Sequence, residues 1–204
     1  MDVDIRADIK GVTRYLNKLQ KKQIPFAAKN AIDDTLYGLQ QEEKKEIVRQ
    51  LDRPTPFTVK GIQYQKVKSK KDLMGLLFIP ENRYKYLKFQ IEGGLRRPAN
   101  RAIGIGVSKL RRNKYGNLPR KRITALLSEP GTFSGEINGV AGIWKIPKEG
   151  KRVKNKAPKL LVLWATTATY SKRFDYYSVG NKYVKRNFKQ NMEEALRYAI
   201  STAK

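Results

Sequence analysis

The stretch Pro25-Phe26-Ala27-Ala28-Lys29-Asn30-Ala31-Ile32, continued through Leu36 and Leu39 as far as Leu51, decides the fold because it reads as one long helix. Ile32, Leu36, Leu39, Ile47 and Leu51 supply an apolar stripe along one face. Ala27, Ala28 and Ala31 leave room for a close neighbour. Pro25 suits the first turn, where its missing N–H costs nothing. Asp52-Arg53-Pro54-Thr55-Pro56 stops the helix, since a residue before proline is pushed out of helical geometry. Five acids, Asp33, Asp34, Glu42, Glu43 and Glu46, read as surface positions pairing with Lys44, Lys45 and Arg49, which makes this helix the least basic surface of the chain. Upstream, Thr13 to Gln20 reads as a short amphipathic helix.

A second helix is expected at the other end, from about Asn181 to Ala203. Val184, Phe188, Met192, Leu196 and Ile200 recur every four residues there. Burying five such side chains is worth roughly 1.5–3 kcal/mol each, so this face must dock, on the protein's own sheet or on another subunit. Between the helices the strand signals are short. Ile62–Lys68 and Leu73–Phe78 read as an antiparallel pair, and Tyr84–Ile91 as a short helix or a strand. Asn138-Gly139 marks a hairpin between Phe133–Ile137 and Val140–Ile146. Leu160–Thr169 reads as one buried strand. The expected class is α+β: a long N-terminal and a C-terminal helix packed on an antiparallel β-sheet, with long basic loops. One domain spanning 1–204 is expected, with a basic extended excursion at about 95–128 and a basic loop at about 145–159.

Charge is the dominant chemical feature. The 204 residues carry 44 Lys+Arg against 18 Asp+Glu, a formal net charge of +26. From Gly93 to Ser128 there is no acid at all, while Arg96, Arg97, Arg101, Lys109, Arg111, Arg112, Lys114, Arg120, Lys121 and Arg122 all lie inside. Lys145–Lys159 adds seven bases to one acid, Lys151, Arg152, Lys154 and Lys156 among them. A one-sign block of this length meets a polyanion, lies against an acidic protein surface, or stays a solvated loop. These fourteen bases are the candidate polyanion or partner contacts. With 11 Tyr and 10% aromatic residues the chain is not a disordered composition.

Chemistry that the chain excludes is equally informative. There is no Cys and no His, so disulfides, thiolate metal sites and Ser-His or Cys-His machinery are absent. Gly104-Ile105-Gly106 lacks the third glycine of a dinucleotide loop and reads as a strand-to-loop bend. Glu129 and Glu136 flank a Pro-Gly turn and read as surface acids rather than a hydrolytic pair. No catalytic residue, cofactor or metal site is expected, and the protein is not expected to be an enzyme. MDVDIRADIK has no apolar core of a signal peptide, and Leu160–Ala165 is too short to span a bilayer, so no membrane is expected and synthesis in the cytoplasm is. Tyr84, Tyr86, Phe89 and Tyr115 sit among bases and suit either base stacking or a core edge.

Several ordered pieces resemble a family of bacteriophage tail proteins, the minor tail protein Z or tail-completion group of the head–tail junction. They are Phe26–Ile32, Asp52–Thr58, Tyr86–Gly94, Gly139–Trp144 and Tyr170–Tyr177. The set runs from about residue 10 to 203; no single piece is specific, and the order carries the likeness. The resemblance implies one α+β unit, no catalysis, and a structural virion component of the neck or tail. It further implies a homo-oligomer, commonly a hexameric ring, that meets other phage proteins such as a connector, tail tube or terminator. Exposed bases would then touch neighbouring virion proteins or DNA non-specifically. The alternative from composition is a sequence-independent nucleic-acid-binding protein, ribosomal-like or nucleoid-associated.

Overall fold

The computed structural model describes residues 2–6, 18–98, 102–107, 110–119, 121–147 and 157–202. It is α+β, and the chain divides into two compact units. The first joins residues 1–91 to 173–204, and the second is 92–172.

In the first unit, β1 (Asp2–Arg6) is followed by α1 (Lys18–Gln50), a helix of 33 residues or about 50 Å. Then come α2 (Pro56–Val59), β2 (Gln63–Gln65), β3 (Met74–Phe78) and α3 (Glu81–Ile91). After the second unit the chain returns as α5 (Tyr176–Ser201). The sheet has order β1-β3-β2, both pairings antiparallel, with Gln63 opposite Phe78 and Asp2 opposite Phe78 on the other side. The pairing of Ile62–Lys68 with Leu73–Phe78 is therefore present, with a shorter first strand. β3 alternates as a half-covered strand does: Gly75 and Leu77 are buried, and Met74 is exposed. Gly75 has no side chain because one would strike Leu36 and Ile32 of α1, so glycine lets the helix lie on the strand.

The helix pair is the core of this unit. Ala27, Ala31, Ala195 and Ala199 form a buried seam flanked by Phe26, Phe188, Met192 and Leu196. Further along, Ile32, Leu36, Leu39, Ile47, Leu77, Leu87, Phe174 and Tyr176 join one cluster. Asn191 Nδ2 donates to Thr35 Oγ1 at 2.8 Å, and Thr35 Oγ1 donates to the Ala31 carbonyl at 2.6 Å, which ties the helices across the seam. Tyr176 donates its hydroxyl to the Leu77 carbonyl at 3.1 Å.

Four expectations differ in this unit. α1 begins at Lys18, so Pro25 lies inside the helix rather than in its first turn and forfeits one helical hydrogen bond. Of the expected Thr13–Gln20 helix, 18–20 belong to α1 and the rest lies outside the described residues. α5 starts five residues before Asn181, and Ile200 is 65% exposed although it continues the four-residue repeat. A strict repeat of four drifts by about 40° per step around a helix, so the face turns and Ala195 and Ala199 take over. Finally, the acids of α1 are not a surface row: Asp33, Glu43 and Glu46 are buried. Asp33 Oδ1 accepts the Val67 N–H at 2.8 Å, and Gln40 donates to the Ile62 carbonyl at 2.9 Å, so polar groups on α1 hold the chain around β2.

Glu43 stands on the same stripe as Leu36, Leu39 and Ile47. Both of its oxygens are out of solvent with no hydrogen-bond partner among the described residues. Burial first, then the neighbouring Glu46, Glu42 and Asp175 carboxylates, push it up from 4.5 to about 9.

In the second unit, β4 (Gly94–Arg96) pairs with β9 (Ala168–Tyr170) as an antiparallel ribbon. A four-stranded antiparallel sheet follows the order β5-β8-β7-β6, from β5 (Ile103–Gly106), β6 (Thr132–Ile137), β7 (Val140–Lys145) and β8 (Lys159–Ala165). The β6–β7 hairpin turns at Asn138 (φ 50°) and Gly139 (φ 77°), both left-handed, as the Asn-Gly signal requires. α4 (Arg122–Leu127) sets Leu126 in a small core with Ile143, Leu161 and Val162. The segment 95–128 is thus not one extended excursion. Ile103, Ile105, Ile123 and Leu126, set among the bases, give it a strand and a helix. Leu160–Thr169 is not one strand either: it bends at 166–167 and changes partner from β5 and β7 to β4.

Two outcomes follow. Ala31→Leu overfills the α1–α5 seam and should cost about 1–3 kcal/mol in urea unfolding, against a negligible change for a leucine at exposed Asp34. Glu43 ionises near 4.5 unfolded and near 9 folded, so folding takes up a proton between those values. Stability is fully present below the lower value and falls as pH rises, by at most about 1.4 kcal/mol per pH unit. Urea midpoints measured across that range should slope downward in the native chain and flatten in Glu43→Gln.

Candidate polyanion-contact surface

The bases of the second unit are placed by a short, internally bonded loop. Asn113 organises it: its Oδ1 accepts the N–H groups of Tyr115 and Asn117, both at 3.0 Å. Its own N–H reaches the Asn117 carbonyl at 2.9 Å, and Gly116, at φ 78°, donates to the Asn113 carbonyl at 2.9 Å. This is a side chain standing in for a turn of backbone. Arg112 spans the loop, with Nη1 donating to the Gly116 carbonyl at 3.0 Å and Nη2 to the Gly106 carbonyl at 2.8 Å. The guanidinium therefore ties the loop to the end of β5.

The loop and α4 enclose a recess of about 660 Å³ lined by Arg111, Arg112, Asn113, Lys114, Pro119 and Arg122. Arg122 Nη1 donates to Glu129 Oε1 at 3.2 Å, and Lys145 Nζ to Glu129 Oε2 at 2.6 Å. The Lys145 bond first, with the charges of Lys145 and Arg122 beside it, holds the Glu129 carboxyl below its ordinary range against the opposing effect of desolvation. Glu129 is thus a shared counter-ion, a role that the sequence reading, weighing it as a hydrolytic acid, did not assign. Glu136 is exposed on β6. Arg111 and Lys114 are exposed and have no carboxylate partner among the described residues; Lys114 lies over the Tyr115 ring at 5.2 Å.

Of the sequence candidates, Arg111, Arg112, Lys114 and Arg122 converge on this recess. Lys121 is exposed beside it in sequence, at the start of α4. Arg96 and Arg97 stand at the β4–β9 ribbon and do not line it; Arg96 is half-buried, with Nη1 at 3.5 Å from the Tyr170 hydroxyl. Arg101, Lys109, Arg120, Lys151, Arg152, Lys154 and Lys156 lie outside the described residues. Tyr84 and Tyr86 pack against the first unit's core, and Tyr86 bonds Thr58 at 3.3 Å, so those two are core-edge rings. Gly104 and Gly106 lie within β5, not at a phosphate loop; a side chain at Gly104 would meet the Trp164 ring at 2.9 Å.

Two recesses of the first unit mix both signs of charge. One, about 350 Å³, sets Glu42, Glu46 and Asp175 against Arg49, Lys182 and Arg186. The other mixes Lys29 and Lys66 with Asp33, Asp34 and Glu194. Among the described residues no group of three or more carboxylates is placed to hold a metal ion, and no helix is long and apolar enough to cross a membrane. Comparison with family models, curated proteins and solved structures finds no match.

The loop geometry makes a measurable demand. Asn113→Ala removes two backbone–side-chain bonds worth about 1 kcal/mol each. Amide exchange at Tyr115 and Asn117 should accelerate several-fold, while α5 amides keep their protection.

Proposed function

We propose that this chain is a structural virion component of a tailed bacteriophage, a tail-completion or connector protein of the head–tail junction. Copies assemble as a ring, commonly six-fold, and meet neighbouring neck or tail proteins. The observation that supports this most is where the phage-like pieces fall. Phe26–Ile32 supplies the alanines of the α1–α5 seam. Asp52–Thr58 holds the turn after α1, with Arg53 at φ 46° and Thr55 capping α2 through a 3.2 Å bond to the Thr58 N–H. Tyr86–Gly94 ends α3 and passes through two left-handed glycines. Tyr170–Tyr177 brings in the buried Phe174 and Tyr176. Each piece shapes the scaffold and none gathers reactive groups, which suits assembly better than turnover.

The cation excess is denser in one unit than in the other. The 92–172 unit carries 18 bases and four acids, against 26 and 14 in the remainder. Surplus charge of one sign favours association with a partner of the other sign and sets orientation more than affinity. The second reading, a free sequence-independent nucleic-acid binder, draws on the recess at Arg111–Arg122 alone.

Mass spectrometry of purified virions from the source that encodes the chain should find it in stoichiometric amount. Disrupting its gene should leave heads and tails that fail to join. Normal particles lacking the chain would rule the assignment out and favour the free binder.

A further inference from the structure

We propose that the recess lined by Arg111, Arg112, Lys114 and Arg122 is a seat for the phosphodiester backbone of a nucleic acid, engaged without regard to base sequence. This deepens the reading above and rests on its premise that the 92–172 unit makes the contacts. Four cationic side chains converge there, no described carboxylate lines the recess, and the Glu129 that pairs with Arg122 is shared with Lys145. One acidic side chain of a protein partner would offset one of the remaining charges. Duplex DNA presents about one negative charge per 1.7 Å of its axis, so several anionic oxygens reach a recess of about 660 Å³ together.

The lining also lacks what a protein partner would grip. Among the described residues no aromatic or branched aliphatic side chain lines it. Protein interfaces take most of their energy from such anchors in a dry centre, whereas nucleic-acid interfaces are polar and strongly positive. The seat is pre-arranged as well. Arg112 spends two of its five N–H donors on the Gly106 and Gly116 carbonyls, which fixes its charge and leaves three donors for an anion. Base reading is not built in. The Asn113 oxygen is spent on the Tyr115 and Asn117 amides, so this amide cannot make the paired contact to adenine.

The test is a salt titration of binding to labelled random-sequence duplexes by fluorescence anisotropy, using the full chain. Arg111→Ala with Lys114→Ala removes two exposed cations that take no part in the loop's hydrogen bonds. It should weaken binding about tenfold on every duplex alike and lower the slope of log affinity against log salt by about 2. Lys185→Ala with Lys189→Ala takes the same charge from exposed positions on α5 and should change affinity by less than about twofold. Arg111→Gln alone, with a slope change of about 1, repeats the test should the double variant lose its fold. Equal losses from both double variants would overturn the seat in favour of a diffuse field. So would absence of duplex binding by the native chain, or displacement of the duplex by poly-glutamate at matched charge, which would point to an acidic protein. Rings seen by electron microscopy with an unchanged duplex affinity in Arg111→Ala/Lys114→Ala would defeat the seat and leave the assembly reading standing. Tight, loop-dependent duplex binding without rings or particles would do the reverse.

Discussion

The close approach of α1 and α5 is the constraint on which the rest of the structure depends. Ala27 and Ala31 meet Ala195 and Ala199, residues far apart in sequence, in a buried seam of small side chains. Gly38 extends the same seam, since a side chain there would strike the Tyr183 hydroxyl. Once the two helices are joined, the path of the chain is largely determined. α1 covers β3 through the gap at Gly75, and Tyr176 at the head of α5 bonds β3 from its hydroxyl. The returning chain is fastened at one carbonyl: Gln90 O accepts the N–H groups of both Arg173 and Phe174, at 2.8 and 2.9 Å. Residues 92–172 carry a sheet and a basic loop of their own.

That arrangement lets the two units answer to different physics. The first is organised by apolar burial, even to the extent of enclosing a carboxyl, Glu43, that must stay protonated. Its recesses set acids beside bases. The second has, among its described residues, a small core of four buried apolar side chains, and its 18 bases far outnumber its four acids, of which Glu129 is shared by Arg122 and Lys145. Counter-charge for the remainder comes from solvent ions or from a partner, and release of such ions is what drives association with a polyanion.

Much of this was legible in the sequence, and the rest was hidden for identifiable reasons. Periodicity alone located both long helices, and Asn138-Gly139 located the hairpin, because each is a local rule that tertiary context did not override. The burial of Glu43 was legible in principle: steps of four, three, four and four from Ile32 through Leu36, Leu39 and Glu43 to Ile47 place it on the stripe. Residue type was allowed to outweigh position. The order inside 95–128 was masked because dense bases obscured the few apolar residues that nucleate β5 and α4. The change of partner between β8 and β9 depends on pairings between residues far apart, which no local pattern encodes. At the candidate site, Asn113 organises the turn that carries Arg111, Arg112 and Lys114, while α4 supplies Arg122. The signal was an Asn with a Gly three residues later, read only as part of a charged run.

The claim that one unit builds while the other makes contact is tested most directly by hydrogen–deuterium exchange on the full chain, with and without a saturating random-sequence duplex. The account predicts slower exchange across 107–127 and unchanged exchange in α1 and α5. Protection appearing along α1 and α5 instead, with 107–127 unaffected, would contradict it.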